Sequence, residues 1–157
     1  MVETEEISYR RASAEDVGVL AALRWEMEVE RHDELLHARE EFLRAAVADT
    51  RAELASGAHL AWLAEAGGEP VASALLIWWA MPPNMRELHR RRGFVSSVYT
   101  KPAYRRRGIA RHLMTTLVEQ ARAMGLSRLV LWSSEMGRPL YEDLGFIPCR
   151  GLELNIE

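Results

Sequence analysis

Between residues 104 and 110 the chain reads Tyr-Arg-Arg-Arg-Gly-Ile-Ala, directly ahead of a strongly amphipathic run. The N-terminus of a helix carries unpaired backbone N–H groups and a partial positive charge, so a strand-to-helix junction here is suited to an anion, phosphate above all. Gly108 lets the backbone approach a ligand with no Cβ in the way, and Ala110 is small enough to keep the approach open. Arg105, Arg106 and Arg107 add positive charge around the same point. The stretch has neither the glycine pattern of a P-loop nor that of a dinucleotide fold. Taken alone, it fits equally well a helix that simply begins at a glycine among arginines. Charge along the chain favours the anion: residues 1–69 hold 16 acids and 7 bases, whereas residues 70–157 hold 7 acids and 13 bases. The sharpest part, Arg86 to Arg111, has nine bases and one acid, Glu87.

The elements that must position this junction follow from periodicity. Ile7 to Ala12 alternates as a first strand. Ser13-Ala-Glu-Asp starts a helix over about 14–30, whose stripe is Val17, Leu20, Ala21, Leu23, Arg24 and Met27. A second helix covers about 37–56 and stops at Gly57. Ala58 to Glu65 is a strand, Gly67-Gly68 a hairpin turn, and Pro70 to Trp79 the returning strand, apolar enough to be covered on both faces. Residues 81–92 form a loop around Pro82-Pro83. Gly93 to Thr100 is the next strand, followed by a helix over about 108–124, a short strand at 129–132, a helix over about 136–144 and last strand material from Phe146 to Ile156. The order β-α-α-β-β-β-α-β-α-β predicts an α/β fold in three layers.

The 157 residues are 48% hydrophobic and 27% charged, with a net charge of −3. This suits one globular domain spanning residues 1–157 and excludes a disordered chain. The longest apolar stretch, Val71 to Met81, is too short to span a membrane. The acidic N-terminal stretch resembles neither a signal nor a transit peptide, so a cytoplasmic location is the expectation. Cys149 is the only cysteine, which rules out an intramolecular disulfide and is expected to be an inert buried thiol. His32, His37, His59, His89 and His112 show no metal-like pairing, so no metal is expected. Nucleic-acid binding ranks last, because the first half is acidic and the basic run lacks interleaved aromatics.

Arg105-x-x-Gly108-x-Ala110 resembles motif A of the GNAT N-acetyltransferase superfamily, Gln/Arg-x-x-Gly-x-Gly/Ala. About thirty residues later, Ser134-x-x-Gly137-x-x-Leu-Tyr141-Glu-Asp-Leu-Gly-Phe146 resembles that family's motif B. The two motifs stand in the right order and spacing, and the resemblance covers roughly residues 58–157. It implies a mixed, mostly antiparallel central sheet flanked by helices on both faces, and acetyl-CoA as co-substrate. The backbone of Val98, Tyr99 and Thr100 would pair with the pantetheine arm. The N–H groups of Arg105, Arg106, Arg107, Gly108, Ile109 and Ala110, with Arg111 beside them, would hold the pyrophosphate. The strands before and after that helix would splay apart where the acetyl group lies. Tyr141 falls where the family places the tyrosine that protonates the departing thiolate, while Ser134 stands in place of an asparagine that touches the cofactor, within the same frame as Gly137.

The implied activity is N-acetyl transfer by direct attack of an amine in a ternary complex. The acceptor is a small-molecule amine or a protein or peptide amine; no nucleic acid or membrane is implied, and a homodimer is compatible. Many relatives carry a glutamate base on the strand where this chain has Ser96-Ser97. Glu26, Glu28, Glu30, Glu87 and His89 are candidates by location only, a water chain is equally open, and no base is assigned. A non-catalytic acyl-CoA-binding or sensor domain is the competing reading. Trp62, Trp78 and Trp79 are expected in the core, with one of Trp78 and Trp79 free to line an acceptor pocket. On the first helix, Trp25 and Arg24 are placed to pack or to face the acceptor.

Overall fold

The structure, a computed structural model, describes residues 5–156. Five strands form one sheet in the order β1-β2-β3-β4-β5: β1 (Ile7–Arg11), β2 (His59–Ala66), β3 (Glu69–Met81), β4 (Arg90–Thr100) and β5 (Arg128–Val130). The first four pair antiparallel, and β5 runs parallel to β4. The hairpin between β2 and β3 turns at Gly67 and Gly68, both with positive φ, as a two-residue connection requires.

Helices α1 (Val17–Arg31) and α2 (Arg39–Ser56) cover one face of this sheet. Helix α3 (Ile109–Ala123) covers the other, with the short α4 (Arg138–Asp143) beside it. The layers form because each strand sorts its apolar residues. Leu60, Trp62, Val71, Leu76 and Val95 pack with Ile109, Leu113, Met114 and Leu117 of α3. On the opposite face Leu63 and Tyr99 meet Leu23 and Met27 of α1. The start of α1 is pinned by Asp16, whose carboxylate accepts the Ser13 N–H at 2.7 Å and both terminal nitrogens of Arg10 at 2.8 Å.

Several sequence expectations are corrected here. Phe146 to Ile156 forms no strand: Leu152, Leu154 and Ile156 alternate, yet all three are exposed and pair with no neighbouring strand. Cys149 lies on that segment and is exposed, not buried. Residues 90–92, expected in the loop, already belong to β4, because Arg91 and Arg92 pair with Ala80 and Trp79. Neither Trp78 nor Trp79 lines the cleft between α1, α2 and the sheet. Trp78 donates its indole N–H to the Gly57 carbonyl at 2.8 Å and lies under the Arg91 guanidinium, and Trp79 is solvent-exposed. Trp25 packs against Phe42 of α2. No helix among the described residues is long and apolar enough to cross a membrane.

Candidate functional site

Strand β4 carries two irregularities that define the centre of the molecule. The first is a bulge. Ser73 pairs with Tyr99 and Leu75 with Ser96, so β4 holds one residue more than β3 between these pairs, and Ser97 takes a left-handed φ of 50°. The second is a parting of strands. Parallel pairing with β5 ends at Phe94 opposite Val130, so from Val95 to Thr100 the backbone on that side of β4 faces no strand. Unpaired N–H and C=O groups along such a gap can receive an extended ligand arm.

The gap leads to the start of α3. Gly108, at φ 77°, precedes Ile109, and no side chain caps the helix. A Cβ placed on Gly108 would meet nothing within 4 Å, so the approach to the free N–H groups is open. Arg106 is also left-handed, at φ 65°, and alternation of handedness turns successive N–H groups inward as an anion-binding nest. Ile109 is buried in the core and anchors the turn from below.

The arginines beside this cradle are mostly committed elsewhere. Arg105 donates from Nε to the Thr100 carbonyl at 2.9 Å and from Nη2 to both Glu30 oxygens at 2.8 and 2.7 Å. Glu30 also accepts the Tyr99 hydroxyl at 2.8 Å. Burial pushes the Glu30 carboxyl up, but Arg105 and Tyr99 outweigh it, and the group stays below its usual range. Arg107 donates to the Ala103 carbonyl and lies over the Tyr104 ring, and Arg111 pairs with Asp143 at 2.9 Å. Arg106 is exposed. In the rest of the basic run, Arg90 and Arg92 pair with Glu87, and Arg92 also bonds Ser127. A run that looks like one positive face is therefore largely internal bracing.

Across the gap, Ser134 accepts the Gly137 N–H at 3.1 Å, which leaves its own O–H free to donate. Gly137 makes room for Tyr141: a Cβ there would sit 3.2 Å from the Tyr141 ring. Tyr141 is half-buried, rests edge-on against Phe146 at 5.9 Å, and burial raises its hydroxyl pKa above the usual value. Of the β4 residues, Tyr99 is buried and Val98 half-buried. The Thr100 hydroxyl is buried and makes no hydrogen bond among the described residues.

On the other face of β4, a cleft of about 600 Å³ opens between α1, α2 and the sheet. Its walls are apolar, chiefly Leu20, Phe42, Ala46, Leu75, Ile77 and Phe94. Its floor at the bulge is Ser96 and Ser97, with Arg24 above them, and Asp49 lies on the α2 side. Arg24 donates to Ser97 Oγ at 2.8 Å. The sequence carried a signal for this cleft, since Arg24 interrupts the apolar stripe of α1, but Phe42, Ala46 and Asp49 have no signal beyond ordinary helix pattern. Of the acids considered as bases, Glu26 pairs with Lys101, Glu28 lies 3.6 Å from Arg24, and Glu30 and Glu87 are held by arginines. None of them lines the cleft.

Known proteins share this fold. A predicted acetyltransferase from Clostridium acetobutylicum, solved with acetyl-CoA, is 27% identical with a TM-score of 0.83, covering 96% of this chain and 97% of that one. A GCN5-related N-acetyltransferase from Ralstonia eutropha is 26% identical with a TM-score of 0.79, covering 96% and 99%. The glucosamine 6-phosphate N-acetyltransferase of Trypanosoma brucei brucei is 35% identical over 79 residues, 50% of this chain and 52% of that one. The chain thus spans about half the length of the curated relatives it matches. Residues 19–146, which include the cleft, the bulge, the cradle and Tyr141, match one family across most of the sequence, and the chain belongs to the acetyltransferase (GNAT) family.

Proposed function

We propose that residues 1–157 act as one acetyl-CoA-dependent N-acetyltransferase domain, which transfers the acetyl group by direct attack of an amine in a ternary complex. The observation that carries this reading is the position of the β4 bulge. It lies between the acceptor-sized cleft on one side and the unpaired edge that leads to the α3 cradle on the other. The cradle fits a pyrophosphate, since Gly108 leaves its approach open and no side chain occupies the first N–H groups of α3. In this reading the backbone of Arg105 to Arg111 holds the pyrophosphate, Val98 to Thr100 line the pantetheine arm, and Ser134 and Gly137 flank it.

The amine lone pair attacks the thioester carbon and forms the C–N bond. Backbone N–H groups freed at the bulge receive the oxyanion. The C–S bond then breaks, and the Tyr141 hydroxyl gives its proton to the sulfur. The proton shed by the amine leaves through water, and Tyr141 regains its own from solvent, so that acetamide and free CoA thiol remain. A phenol is already protonated at neutral pH, as a general acid must be, and the rise that burial causes at Tyr141 leaves that unchanged. Ser96-Ser97, in place of a strand carboxylate, favours the competing reading of a non-catalytic acyl-CoA sensor.

Calorimetric titration with acetyl-CoA tests the binding step. Gly108→Glu puts an anion into a cradle made for one and weakens binding at least tenfold; a folded variant with unchanged affinity removes this site. Thiol release with a broad panel of amines tests the reaction. Release above background with any amine excludes the sensor, and binding without release establishes it.

A further inference from the structure

We infer that the acceptor is an α-amino acid with an apolar side chain, its carboxylate held by Arg24. The inference rests on the acetyl-transfer reading and adds the substrate class. Arg24 is the one arginine or lysine lining the cleft among the described residues, and it sits at the bulge. Its Nη1 donates to Ser97 Oγ at 2.8 Å, with Ser96 Oγ at 3.5 Å. Its Nη2 comes no closer to Glu28 than 3.6 Å, and neither Nη2 nor Nε makes a hydrogen bond among the described residues. The side chain is 41% exposed. A guanidinium in this state still offers two parallel donors, the arrangement that takes a carboxylate in bidentate fashion.

Place then decides chemistry. The attacking nitrogen must reach about 3–3.5 Å from the thioester carbon, which the proposed reading puts beside the same bulge. An anion bound by Arg24 therefore lies next to the reacting amine. One carbon separates amine from carboxylate in an α-amino acid, so a single molecule satisfies both positions. A remote carboxylate or phosphate would need its cation farther along the cleft, where Phe42, Leu75, Ile77 and Phe94 are apolar, Asp49 repels an anion, and His59, the other basic side chain there, lies 3.8 Å from the Glu53 carboxylate. Those walls instead suit an aliphatic or aromatic side chain. A peptide N-terminus or a lysine of a protein offers no carboxylate beside its amine and would leave the Nη2–Nε edge of Arg24 without a ligand.

The test compares L-leucine, L-methionine and L-phenylalanine with their carboxamides, reading thiol release and the N-acetyl product by mass spectrometry. Wild type should favour the acid over the amide by at least tenfold in kcat/KM. Arg24→Met, which keeps the stem and removes the fork, should bring that ratio toward one mainly by raising KM for the acid, and Arg24→Lys should restore part of it. Thermal melts check that each variant is folded. Equal use of acid and amide by wild type, or a ratio untouched by Arg24→Met, overturns the inference. So does acetylation of amines that lack a carboxylate when the amino acids are inert, an outcome that leaves acetyl transfer standing. Failure of the chain to bind acetyl-CoA at all defeats the reading beneath it.

Discussion

Replacing Tyr141 by Phe separates catalysis from packing, because the structure assigns the ring and the hydroxyl different neighbours. The ring fills the space beside Gly137 and meets Phe146 edge-on, and both contacts survive in Phe. The hydroxyl makes no hydrogen bond among the described residues, so its loss orphans no partner. Stability should change by less than about 0.5 kcal/mol. The rate should change far more: general acid catalysis is worth about 10²–10⁴-fold, and a thiolate needs less help than an alkoxide, so a fall in kcat of about 10²-fold is expected, or ~2.7 kcal/mol of barrier. Tyr99→Phe is the matched control. That hydroxyl donates to Glu30 at 2.8 Å from a buried ring, and its removal should cost about 1.5 kcal/mol, or roughly 3–6 °C in Tm. Initial rates of thiol release at saturating acetyl-CoA, beside calorimetric melts, read both quantities. Wild-type turnover in Tyr141→Phe, with single-turnover kinetics showing chemistry to be limiting, refutes the acid role. A joint fall in Tm and acetyl-CoA affinity assigns Tyr141 to packing.

Two further outcomes concern the scaffold. The Arg10 and Ser13 hydrogen bonds hold the Asp16 carboxyl down at about 2, so its contribution is full above the unfolded value near 4 and is lost as pH falls through about 2. With Arg10 half-exposed, wild type should exceed Asp16→Asn by about 1–2 kcal/mol in urea melts at pH 7, the gap closing by pH 2; a gap that does not vary with pH refutes this. At Gly93 an added Cβ would sit 2.5 Å from the Leu129 side chain and 2.8 Å from those of Leu126 and Leu76. Gly93→Ala should therefore cost about 1–2 kcal/mol by overpacking, and an unchanged urea midpoint would show that the three leucines yield freely.

The cradle was legible in the sequence because its chemistry is local: a glycine, small neighbours and a helical stripe lie within a dozen residues. The layers were legible for the same reason, since each strand and helix declares its buried face by period. What failed was whatever depends on a partner distant in sequence. The sequence reads the Arg105 side chain as added charge around the anion, with no sign that Glu30, 75 residues away, holds its guanidinium. Leu152, Leu154 and Ile156 alternate as a strand should, and alternation alone does not supply a neighbour to pair with. The cleft arises where α1, α2 and three strands converge, and only Arg24, a charge in an apolar stripe, announced it beforehand.

The extra residue in β4 also acts as a frame shift in the reading of sides. Before it, Phe94 and Ser96 look into the cleft while Val95 looks toward α3; after it, Val98 joins the α3 side and Tyr99 the α1 side. Even positions lead on one stretch and odd positions on the next, and Ser97 is the hinge of that change of parity. Deleting Ser97 would leave Val98 and Tyr99 on their present sides, but flattening the bulge with Ser97 kept would send Tyr99 under α3 and Val98 toward α1. Glu30 would then lose the phenol that it grips, along with its hold on Arg105 beside the cradle. The bulge is thus what lets β4 carry one residue more than β3 with both of its faces in order, and Ser97 is the residue that takes up the surplus.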